Sequence, residues 1–95
     1  MRPILASQDV LTKLKDKHDL TLRHVEHCFE NKLGIFLEDT REGNRTDPPS
    51  LWFVAPTNCE RVLKVVFMFI DGNIHLKTAY DAEPEAIEIY NRHGR

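Results

Sequence analysis

Glycine is scarce in this chain. Its four occurrences, Gly34, Gly43, Gly72 and Gly94, fall in neither a GxGxxG nor a GxxxxGK pattern. Phosphate-binding loops need such glycines because backbone amides must approach the phosphate closely, so a nucleotide-dependent enzyme is not expected. Cysteine is scarcer still: Cys28 and Cys59 show neither CxxC spacing nor the density of a disulfide scaffold, and they are expected to be free, buried thiols in a reducing cytosol. No apolar run approaches the roughly 20 residues needed to cross a bilayer. The opening stretch Met1–Ala6 is too short for a secretory signal, so a cytoplasmic location without a membrane partner is expected. An excess of one charge is missing as well. Thirteen Lys+Arg against fifteen Asp+Glu leave a net charge of −2, so any attraction to nucleic acid must come from a local patch.

Metal-ligand patterns are also absent. His24 and His27 stand three residues apart on a predicted helix with no third ligand of matching spacing, and are expected to be surface histidines. Neither a metal nor another cofactor is expected. Glu38-Asp39 is a lone acidic pair at a strand end, expected as a solvated loop edge rather than an acid–base dyad.

What is present suffices for one domain over residues 1–95, since 41% apolar and 29% charged residues exclude a disordered chain. Ser7 is placed to cap a helix over 7–17 with Val10, Leu11 and Leu14 on one face. Thr21 caps a second helix, in which Leu22, Val25, Cys28 and Phe29 keep helical spacing. Leu20 staples onto Val25, and Gly34 supplies a left-handed end. Strands are predicted at Ile35–Leu37, Leu51–Ala55, Arg61–Ile70 and Ile74–Tyr80. A polar loop from Arg41 to Pro49, rich in turn formers such as Gly43 and Asn44, separates the first two. Pro84 then opens a last helix through Ile87, Ile89 and Tyr90, with acids at its start and Arg92 and His93 at its end. The fold class is therefore α+β: two N-terminal helices, a four-stranded mainly antiparallel sheet and one C-terminal helix.

Asp71-Gly72 carries a type I′ hairpin signature, and a two-residue turn there fixes which residues oppose one another. Phe69 then faces Ile74, Phe67 faces Leu76, Val65 faces Thr78 and Leu63 faces Tyr80 on an apolar side covered by helices. The other side pairs Met68 with His75, Val66 with Lys77 and Lys64 with Ala79, an uncovered, basic and half-apolar platform. Metal-free RNA cleavage needs a base for the 2′-hydroxyl, cations for the phosphate, an acid for the leaving oxygen and an aromatic face for a base. Lys64, Lys77, His75, Tyr80, Lys17, His18 and Trp52 are candidates for those parts.

Over residues 15–90 the order of signals resembles the BrnT family of bacterial toxins. Lys17-His18-Asp19-Leu20-Thr21, followed by Val25 and Phe29, is similar to that family's Lys-His-Gly turn and helix, with Asp19 standing at the glycine. Glu38-Asp39 with Glu42 and Arg45 is similar to its charged loop, Leu51-Trp52-Phe53-Val54 to its next strand, and Arg61–Phe67 to its arginine-led strand. Asn73–Lys77, then Thr78-Ala79-Tyr80, Glu85 and Tyr90, resemble its closing strand and helix, with Tyr80 where an arginine usually stands. The resemblance implies a RelE-like fold, metal-independent ribonuclease activity in a type II toxin–antitoxin system, and RNA and a cognate antitoxin as partners. On this basis Lys64 and Lys77 hold phosphate, His75 or His18 transfers protons, Arg61 steadies transition-state charge, Trp52 stacks on a base, and Lys17 and Tyr80 contact RNA. The rival expectation is a non-catalytic module that docks a protein or peptide on the exposed sheet face along a Val62/Val66/Met68 stripe.

Overall fold

Helix α1 (Gln8–His18) starts where Ser7 Oγ accepts the Val10 amide at 3.2 Å, satisfying one of the first-turn donors. It ends at Asp19, whose φ of 52° lies in the left-handed region; the Asp19 amide donates to Lys15 O and the Leu20 amide to Leu14 O. Helix α2 (Leu22–Asn31) follows, and the Thr21 amide donates to His24 Nδ1 at 3.0 Å, the imidazole taking the part a glutamate plays in a capping box. These contacts belong to a computed structural model that describes residues 3–40 and 47–95. Of the predicted polar loop, Arg41, Glu42, Gly43, Asn44, Arg45 and Thr46 lie outside the described residues, as do Met1 and Arg2.

Gly34 is not the end of α2. The helix stops at Asn31, whose side chain turns to Pro56 O and Asn58 Oδ1, and Lys32 is already extended. Gly34 is required for another reason: a Cβ there would collide with Gly94 O and stand 2.8 Å from the Tyr90 hydroxyl.

The domain is α+β with five strands, one more than predicted, in a mixed sheet. The added strand, β1 (Ile4–Leu5), runs parallel to β5 (Asn73–Asp81); two residues carry no periodicity to read. β2 (Leu37–Glu38) is shorter than the predicted Ile35–Leu37 because the backbone of Ile35 bonds elsewhere, its amide to Gly94 O and its carbonyl to the Tyr90 hydroxyl. β3 (Leu51–Pro56) and β4 (Val62–Ile70) complete the order β1-β5-β4-β3-β2. Helix α3 (Pro84–His93) has Pro84 in its first turn and Arg92 and His93 in its last, as predicted.

The hairpin turn has the expected type I′ signature, with φ of 53° at Asp71 and 80° at Gly72, and Phe67 opposes Leu76 while Met68 opposes His75. Beyond Phe67 the predicted register fails. A bulge inserts Lys77, so Val66 faces Thr78, Val65 faces Ala79, Lys64 faces Tyr80 and Leu63 faces Asp81. Uninterrupted pairing would have turned Thr78 and Tyr80 inward; the bulge instead gives the crowded inner position to the small, fully buried Ala79.

α2 lies on β3 and β4, α1 lies along β5, and the phenylalanines between α2 and the sheet make edge-to-face contacts. Phe29 meets Phe53 at 4.7 Å and Phe67 at 5.2 Å between ring centroids. Cys28 lies in this core while Cys59, expected to be buried, is exposed in the turn before β4; both thiols are free. Among the described residues no helix is long and apolar enough to cross a membrane.

Candidate functional site

Side chains alternate along a strand, so Trp52, Lys64 and Val66 point away from the Phe53/Phe67 side. The bulge adds Tyr80 to them. The predicted platform is therefore different in two respects. It is not open: α3 crosses part of it, with the Tyr90 ring 6.1 Å from the Trp52 ring. Nor is it simply basic. Between α3 and the sheet lies a cavity of about 630 Å³, walled by Trp52, Lys64 and Tyr80 from the strands and by Glu83, Glu85 and His93 from the end of β5 onward. Glu38 and Asp39 close it from the segment around the end of β2, giving four carboxylates around the lysine. Glu38 is exposed, but Asp39 is only 9% exposed and its amide donates to Ser50 O, so the expected solvated edge holds for one of the two acids.

The Lys64 ammonium stands 4.5 Å from the centre of the Trp52 ring, a cation–π geometry. Trp52 is itself buried, so its reach toward an incoming base is limited to what the cavity admits. At the end of α1, His18 places its ring 5.8 Å from that of Tyr80. Four of the predicted residues, Lys64, Trp52, Tyr80 and His18, thus form one neighbourhood.

Of the other four, three are held apart from it, and Arg61 touches it only through backbone. Lys77, the bulged residue, reaches across β4 to donate to the buried Ser50 hydroxyl at 3.0 Å. His75 lies opposite Met68, toward the hairpin turn, and Lys17 is exposed on α1. Arg61 is engaged by Asp81 and by the carbonyls of His18 and Asp19.

His27 corrects its prediction: it is buried, and its Nδ1 accepts the Asn58 amide at 3.3 Å, fastening α2 to the turn after β3. No group of three or more metal-ligating side chains occurs among the described residues. Burial pushes the Cys28 thiol up to about 12, which keeps it protonated and inert. Burial also raises the Tyr90 phenol, against the opposing hydrogen-bond and Arg95 charge effects, so it remains a donor to Ile35 O at 2.8 Å. Sequence patterns did not bring Glu83, Glu85 or His93 to this site, because they lie on an element whose docking face is set by tertiary contacts; the adjacent Glu38-Asp39 pair was the one available signal. No protein-family model and no curated protein matches the chain.

Proposed function

We propose that this protein is a BrnT-like toxin with a RelE-like fold, a metal-independent endoribonuclease whose site is the cavity beneath α3 and whose partner is a cognate antitoxin. One observation carries the reading: the cavity collects a cation, Lys64, an aromatic wall, Trp52 and Tyr80, and proton-transfer groups, His93 with the neighbouring carboxylates. Those are the parts that RNA cleavage without a metal requires. Lys64 meets the scissile phosphate, and a carboxylate or His93 takes the 2′-hydroxyl proton. His18, beside Tyr80, serves the leaving oxygen. The left-handed backbone at Asp19 adds support, since this is the position where the family resemblance places glycine. The expected result is cleavage of single-stranded RNA at low salt that persists in EDTA, growth arrest on expression, and a loss of about 100-fold or more in Lys64→Ala. A wild-type protein that neither binds nor cleaves RNA, with or without Mg²⁺, and does not arrest growth would defeat this reading.

A second reading, a non-catalytic module that binds a partner protein or peptide, draws on the four carboxylates around Lys64, which repel phosphate. Its signature is saturable binding of a basic peptide that single-stranded RNA does not displace.

A further inference from the structure

We infer that Arg61 is a positioning residue, which fixes His18 against Tyr80 rather than meeting RNA itself; its consequence for cleavage rests on the ribonuclease reading. The last turn of a helix leaves carbonyls without intrahelical partners, and the end of α1 is left in this state. Arg61 Nη2 donates to His18 O at 2.9 Å and Nη1 to Asp19 O at 2.8 Å, placing a cation at the negative end of the helix. Nε and Nη2 both lie 3.0 Å from Asp81 Oδ1. The guanidinium therefore grips the backbone of His18 on one side and the residue directly after Tyr80 on the other. The first grip spans 43 positions of sequence and the second 20.

The approach to Arg61 is equally constrained. Glu60 has φ of 66°, an uncommon conformation for a residue with a Cβ. The Arg61 amide donates to Thr57 Oγ1 and its carbonyl accepts the Thr57 amide at 2.7 Å, with Thr57 itself buried. A tight, strained turn thus aims one side chain whose nitrogens are taken up by protein acceptors. Only a planar fork does this. A lysine keeps the charge but presents one nitrogen, which cannot span a helix end and a carboxylate together.

Arg61→Lys separates this role from the direct stabilisation of transition-state charge that the family resemblance implies. If the fork matters, Arg61→Lys remains folded by circular dichroism, but the His18 ring protons change chemical shift as the ring moves relative to that of Tyr80. RNA cleavage then falls about 100-fold, the usual scale for a displacement of roughly 1 Å at a reacting group. The double variant His18→Ala/Arg61→Lys should be no slower than His18→Ala, because the two act as a unit. Asp81→Ala, which opens one jaw and keeps the arginine, should move the same His18 resonances in the same direction. Unchanged His18 shifts in both variants overturn the proposal, and so does a loss of cleavage in Arg61→Lys with those shifts intact, which would put Arg61 on the RNA. If the wild-type protein cleaves nothing, the ribonuclease reading falls alone, because the His18 shift is read without RNA and still decides whether the clamp exists.

Discussion

The two faces of the sheet are built on different principles. On one, α2 closes over a cluster of aromatic rings, with Val25, Cys28, Phe53 and Phe67 all fully buried. On the other, α3 sets the buried Tyr90 ring against Trp52 and is oriented by polar and close-approach contacts, the Tyr90 hydroxyl on Ile35 O and Gly34 against Gly94, and beside them the cavity remains. Apolar area stabilises without regard to direction, so it fills space; hydrogen bonds fix an orientation and leave space. A chain this short can hold a cavity because the ring cluster under α2 fills one face, while on the other a smaller apolar contact, Tyr90 on Trp52, is oriented by directional bonds.

The contrast is broken most directly on the filled face. Phe67→Ala should cost about 3–5 kcal/mol by urea denaturation, the usual range for a fully buried ring. A loss below about 1 kcal/mol would mean that the faces do not differ as described. Next in size is Gly34→Ala, whose methyl would collide with Gly94 O. A cost of about 1–3 kcal/mol is expected. Amide exchange should accelerate in α3 and leave α2 protected; equal loss in both helices would erase the distinction. Tyr90→Phe removes only the hydrogen bond to Ile35 O and should cost about 1 kcal/mol, read as a shift in the denaturation midpoint, with the ring contact to Trp52 retained.

The smallest effect near neutral pH is that of Cys28. Its thiol, at 9.0 in the reference state, is raised to about 12 by burial, so the folded protein prefers the protonated form. That contribution is fully present below pH 9, and stability should decline as pH rises from there toward 12 because the unfolded state releases the proton first. At pH 8 a thiol reagent should modify Cys59 alone in the native protein and both cysteines after unfolding; rapid native labelling of Cys28 would show that the filled face opens easily.

Local chemistry was legible in the sequence, and placement across distance was not. Ser7, Thr21, Asp71-Gly72 and Pro84 each act through neighbours within a few residues, and each starts or turns an element where predicted. Lys64 and Trp52 were read as site residues, and the structure brings them together with Tyr80. Other features escaped, the bulge at Lys77 among them. β1 is too short for any periodicity, Gly34 serves a contact with a residue 60 positions away at Gly94, and the acids of the cavity come from separate elements. Helix α3 illustrates the limit well: its pattern announced a helix but not which face of the sheet it would cross.

The bulge at Lys77 makes β5 a strand with two phases. From Asn73 to Leu76 the odd and even positions follow the count set by the turn; from Thr78 onward that count is inverted. Parity along the hairpin is therefore set by whether one residue is paired: left out of the ladder, Lys77 keeps Thr78, Ala79 and Tyr80 opposite Val66, Val65 and Lys64, and taken into it, it would invert everything downstream while leaving the turn untouched. Were Lys77 paired with Val66, Ala79 would swing outward and Tyr80 inward opposite Leu63, where the fully buried neighbours have no room for a phenol ring. Tyr80 can thus stand in the cavity wall only because Lys77 is left without a partner in the ladder, so a register slip that gave it one would erase the site while every nominated side chain remained in the sequence.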